Sequence, residues 1–148
     1  MIPKTELRYS RVYNQILNPE FGRKDMLKLK RNFSKFEALY KKYIRKILSL
    51  IEKHNNKWQR DYIPIYLVAK AKSSFSDPLT IKYRENEKYL LVVLAHELLH
   101  NNLRGKWKNP KELHKYMKPI LNKIISKLPI NLEKELEMFN LSIKRMYK

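Results

Sequence analysis

The chain contains no cysteine. That excludes disulfides, thiolate nucleophiles and every cysteine-based zinc site, so a metal ion has only His, Asp and Glu to hold it. Glycine is almost missing as well, with Gly22 and Gly105 the only two. They supply no phosphate-cradling loop and few hinges. Residues 1–6, Met-Ile-Pro-Lys-Thr-Glu, lack the apolar core of a signal peptide. No apolar run reaches the roughly 18 residues that a membrane span needs. The expectation is a cytoplasmic protein without a membrane span. Acidic residues are scarce too, 14 Asp and Glu against 33 Lys and Arg, which leaves a net charge of +19. Such an excess attracts nucleic acid and anionic surfaces. The sequence has no RNA-recognition signature, no Cys/His finger and no arginine-rich reading helix. Its basic residues are mostly Lys, spread along the whole chain beside abundant Asn, Ile and Tyr, as a biased base composition produces. General surface charge, with non-specific nucleic-acid contact at most, is the expected consequence.

What is present is enough for one folded domain over residues 1–148. Apolar residues make up 43% of the chain, and this length encloses one hydrophobic core. Between residues 26 and 54, Leu29, Phe33, Phe36, Tyr40, Tyr43, Ile47 and Ile51 recur in steps of three and four. That period predicts one long amphipathic helix with a basic outer face. Ile63-Pro64-Ile65-Tyr66-Leu67-Val68 is β-branched and aromatic, and its proline restricts it to an edge or to the first part of a strand. Residues 73–78 read as a turn. Leu79, Ile81 and Tyr83 then alternate with Thr80 and Lys82, a strand pattern. Two such strands predict a short antiparallel ribbon.

Asn86 is a candidate N-cap, with Glu87 in the first turn of the helix it starts. Residues 89–94 are apolar on nearly every side, so that helix belongs at the centre of the molecule and ends near Asn101 and Asn102. Asn109-Pro110 starts another helix, which Pro119 is expected to kink or divide. Pro129-Ile130-Asn131 separates it from a last helix carrying Leu132, Leu136, Phe139, Ile143 and Met146. The fold class is α+β, mainly α.

The chemistry concentrates in His96-Glu97-Leu98-Leu99-His100. Four residues along a helix are about 400° of rotation and about 6 Å of rise, so both imidazoles project from one face. Two such rings can reach one Zn²⁺ at about 2.0–2.1 Å. Glu97 then lies where it can take a proton from a zinc-bound water as general base and return it to a leaving amine. An accidental match on an exposed helix would have Lys or Glu scattered through it. Here both variable positions are Leu, and Val92-Val93-Leu94-Ala95 precedes them. Burying two histidines and a glutamate without partners is costly, which favours a metal.

Residues 93–100 resemble the active-site helix of zincin metallopeptidases. The order of elements from residue 62 onward is similar to the compact archaeal minigluzincins and to SprT-like proteases. The resemblance implies a zinc-dependent peptidase with His96 and His100 as ligands and Glu97 as general base. It also implies a third ligand from a later helix. The metzincin pattern is not met, because Leu103 and Lys106 stand where Gly and His are required. A SprT-like third histidine falls at His114, whereas a gluzincin would use a glutamate, for which Glu112, Glu133, Glu135 and Glu137 are available. His114 is the first choice and the last-helix glutamates the second. His54 closes the long helix, where a cation is favoured, and receives no catalytic role.

The zincin resemblance also implies a peptide or protein substrate laid along an edge strand, with residues 65–69 or 79–83 as the candidates. From the minigluzincins comes the further implication that a terminal segment can block the site. Two alternatives remain beside the simple peptidase. One is a SprT-like protease acting on DNA-bound proteins. The other is a non-enzymatic basic nucleic-acid-binding protein whose zinc is structural or absent.

Overall fold

Alternating burial in one short strand organises the sheet. In a computed structural model that describes residues 1–103 and 109–148, strand β2 (Tyr62–Val68) buries Ile63, Ile65 and Leu67 while Tyr62 and Tyr66 face outward. On one side it pairs with β1 (Lys4–Arg8), in parallel, Leu7 opposite Ile65. On the other it pairs with β4 (Leu79–Lys82), also in parallel, Leu67 opposite Ile81. The two-residue β3 (Phe75–Ser76) folds back antiparallel on β4, so the order is β1-β2-β4-β3. The expected antiparallel ribbon is therefore corrected. The two anticipated strands run parallel, and the antiparallel pair is the small hairpin of β3 and β4. That hairpin occupies part of the segment read as a turn. Asp61 O accepts from Lys4 N of β1 and Val68 O from Tyr83 N, so the nitrogen of Pro64 faces the β4 side, ahead of the stretch of β2 that pairs with β4, and its missing N–H costs no ladder bond.

β1 and the short helix α1 (Arg11–Leu17) had no counterpart in the sequence reading. β1 buries only Leu7, too little for an alternating signal. Ser10 caps α1 by accepting from Tyr13 N, and the side-chain Oδ1 of Asn14 accepts from Ala69 N at the end of β2. The long helix is α2 (Arg23–His54). It buries Leu29, Phe36, Tyr40, Tyr43, Ile47 and Ile51 as its period requires. It begins one turn earlier than expected, where Asp25 accepts from Gly22 N.

Helix α3 (Glu87–Asn102) is the axle of the molecule. Its N-cap is Asn86, which accepts from Tyr89 N at 3.1 Å. Residues 89–99 are all buried, so the helix has no solvent face along that stretch. It packs against α2, β3, β4, α4 (Pro110–Ser126) and α5 (Glu133–Met146). α4 runs unbroken through the exposed Pro119, so the proline does not divide it. With helices over most of the described chain and one small four-stranded sheet, the fold is α+β and mainly α. No helix among the described residues is long and apolar enough to cross a membrane.

Candidate metal centre

α3 carries His96, Glu97 and His100 on its last turns, with His96 5% and Glu97 8% exposed. Two devices fix this end of the helix. Asn101 donates to Ser76 O on β3, and Asn102 donates to Asn56 O in the segment after α2. α4 brings the third histidine. Asn109 accepts from the backbone N–H groups of Lys111 and Glu112, and Pro110 occupies the first helical position. That start places His114 one turn into α4, on the side packed against α3.

The three rings converge through their Nε2 atoms. His100 Nε2 lies 3.0 Å from His96 Nε2 and 3.0 Å from His114 Nε2. One neutral imidazole nitrogen carries either a hydrogen or a lone pair. His100 Nε2 can therefore form a proper hydrogen bond with only one of its two neighbours. A cation resolves the conflict, because all three nitrogens can then present lone pairs to it. The three ligand atoms lie within 4.8 Å of one another, so this group can hold a metal ion.

The electrostatics agree with that donor set. Burial, reinforced by the neighbouring histidines, keeps His96 well below the usual imidazole range. Burial and His114 push His100 down to about 4, and burial lowers His114. All three are thus neutral near pH 7 and available as ligands. Burial alone pushes the Glu97 carboxyl up to about 8.

Neighbouring side chains hold the rings. Phe139 of α5 lies 4.7 Å from the His96 ring, centroid to centroid. The His114 Nδ1 is hydrogen-bonded to the Tyr147 hydroxyl, and with Nε2 presenting its lone pair to a cation Nδ1 would carry the hydrogen and donate it to that oxygen. Metal-binding histidines commonly have such an acceptor, which fixes tautomer and ring orientation. His96 Nδ1 is buried and has no partner among the described residues. Tyr147 carried no signal in the sequence, where it is one of ten tyrosines.

Glu112, Glu133, Glu135 and Glu137 contribute no atom to the group. The first two and Glu137 are exposed, and Glu135 is buried elsewhere on α5. His54 ends α2 and takes no part. Lys106, where the metzincin pattern failed, lies outside the described residues.

A cleft of about 450 Å³ opens over the cluster, with His96, Glu97, His100 and His114 in its wall. Its other sides come from residues 72–76, Lys82, Arg84 and α5 residues that include Ile143 and Met146. The strand at this edge of the sheet is β3. Residues 65–69 and 79–83, considered as the edge, belong largely to β2 and β4, which lie inside the sheet because β1 and β3 flank them. Comparison with family models, with curated proteins and with solved structures found no match.

Proposed function

We propose that this protein is a zinc-dependent peptidase in which His96, His100 and His114 hold the ion and Glu97 moves the proton. The observation that carries the reading is the meeting of three neutral Nε2 atoms beside a buried carboxyl at the wall of an open cleft. Three histidines and an open position are the donor arrangement of a catalytic zinc, whereas a structural zinc is closed by four protein ligands. No fourth His, Asp or Glu joins the group among the described residues, and residues 104–108, Arg-Gly-Lys-Trp-Lys, contain none. A histidine on the helix after the active-site helix is what the SprT-like resemblance implies, in place of the gluzincin glutamate.

When bound, zinc supplies a Lewis acid that makes water more acidic and polarises a carbonyl. The protein's own side chains do the rest. Glu97 lines the same cleft as the three histidines and, as the carboxylate that a bound cation favours, accepts a proton from the attacking water and delivers it to the leaving amine. Tyr147 fixes the His114 ring, and Phe139 packs against that of His96. Residues 72–76, which end in the edge strand β3, line the cleft beside the cluster, where an extended peptide would lie. Lys82 and Arg84 in the cleft wall are cations that suit negative charge developing on a carbonyl oxygen.

Metal analysis paired with hydrolysis tests the reading. The purified protein should carry about one zinc per chain, lost when His96 and His100 are both changed to Ala. Glu97→Gln should retain the zinc and lose peptide cleavage by at least about 100-fold, since an amide cannot take the proton. Cleavage at the wild-type rate in that variant removes Glu97 from the mechanism.

A further inference from the structure

Between α4 and α5, beside the histidine cluster, lies a second cavity of about 330 Å³. Its walls are Met117, Leu121, Phe139 and Ile143, two of them from each helix. It shares His96, His114, Phe139 and Ile143 with the larger cleft, so an extended chain in the cleft passes its opening. The mouth differs sharply from the walls. Lys111, Lys115, Lys118, Lys144 and Lys148 line it, all are exposed, and no acidic side chain does. None of these lysines belongs to an ion pair formed among the described residues.

An apolar chamber ringed by unneutralised cations selects on two counts. The chamber rewards a large apolar side chain, because its own surface leaves water when filled. The ring attracts negative charge and repels positive charge at the positions next to that side chain. We infer that the substrate is a polypeptide segment in which a large apolar residue is flanked by acidic residues, the apolar side chain seated between α4 and α5 and the carboxylates facing the lysine ring. This specificity rests on the peptidase reading above and adds the class of substrate to it. It also gives part of the +19 charge a local purpose, since five of the 33 basic residues stand at this one opening.

The test uses fluorogenic peptides of one backbone, with Leu or Ala at the central position and Glu, Gln or Lys on both sides of it. Zinc-loaded full-length protein should cleave the Leu peptide flanked by Glu about tenfold faster in kcat/KM than the one flanked by Lys, and about tenfold faster than the Ala peptide flanked by Glu. The variant with Lys111, Lys115, Lys118 and Lys144 all changed to Glu should invert the charge preference. A charge-matched control with Lys24, Lys30, Lys46 and Lys53 of α2 changed to Glu should keep it. If the fourfold rim variant does not fold, Lys115→Gln with Lys144→Gln should at least halve the preference.

Cleavage that ignores the flanking charge overturns the inference and leaves the peptidase reading standing. A preference lost equally in the α2 control overturns it too, because bulk charge is then the cause. If no peptide is cleaved, the peptidase reading is what has failed. The cavity is then read by fluorescence anisotropy of the same peptides, labelled, on zinc-loaded Glu97→Gln protein. Tighter binding of the Glu-flanked Leu peptide upholds the cavity's selectivity. Equal binding of Glu- and Lys-flanked peptides, or displacement of both by decanoate at lower concentration, overturns it.

Discussion

Glu97 and the three histidines are displaced from their ordinary pKa values in opposite senses, and protons therefore act on the metal-free protein from both sides. The histidines sit below the usual range of about 6.5. Their contribution to stability is whole above that pH and is lost as pH falls towards 4, where the unfolded chain is protonated first. Glu97, raised to about 8, runs the other way. Its contribution is whole below the ordinary carboxylate range and is lost as pH rises through about 8. Chelator-treated Glu97→Gln should therefore lose less stability than chelator-treated wild type between pH 5 and 8, as read by urea unfolding. Parallel curves would show that Glu97 ionises in the fold as it does in solvent. Tyr147 adds a second prediction at this scale. Tyr147→Phe removes the acceptor from His114 Nδ1 and should weaken zinc affinity about tenfold in a chelator competition. Unchanged affinity would leave the hydroxyl without a role at the metal.

At the scale of elements, α3 and α4 fail differently when altered. α3 is buried from residue 89 to 99, so its helical form rests on packing rather than on surface propensity. Leu94→Ala, with a fully buried side chain, should cost about 2–5 kcal/mol and loosen zinc with the fold. α4 carries Pro119 at an exposed position inside the helix, where the ring removes a backbone donor. Pro119→Ala should stabilise the protein by about 1–3 kcal/mol and raise the thermal midpoint. A lowered midpoint would mean that the turn around Pro119 is shaped to the proline. His114 lies more than one turn before Pro119, so zinc content should not change.

Across the whole molecule, the 33 basic and 14 acidic side chains pair with each other among the described residues at Arg8–Glu6 and Lys41–Glu37. Lys28, Lys35, Lys42 and Lys46 are exposed on α2, whose apolar face is committed to the core. Binding to duplex DNA should be indifferent to sequence and should weaken at least about tenfold as salt rises from about 50 to 200 mM. DNA should not accelerate peptide cleavage. A DNA-dependent acceleration on a DNA-bound protein substrate, lost when those four lysines are changed to Glu, would make the SprT-like alternative the better one.

The relation between His96 and His100 needs no tertiary structure, because a helix fixes residues four apart on one face. The same holds for the caps at Asn86 and Asn109 and for the apolar stripe of α2, which are properties of a short stretch of backbone. The choice of His114 over four glutamates for the place beside His100 is of another kind. It depends on which face α4 turns to α3, and many buried contacts decide that jointly. Parallel pairing of β2 with β4 is likewise decided at a distance. Each strand's alternation shows which face is buried, but not the direction of its neighbour, which the connections through β3 and from β1 impose. Local sequence pattern therefore determined helices α2 to α5 and two of the three histidines, while the packing of distant faces supplied the third histidine, its tyrosine and the cleft.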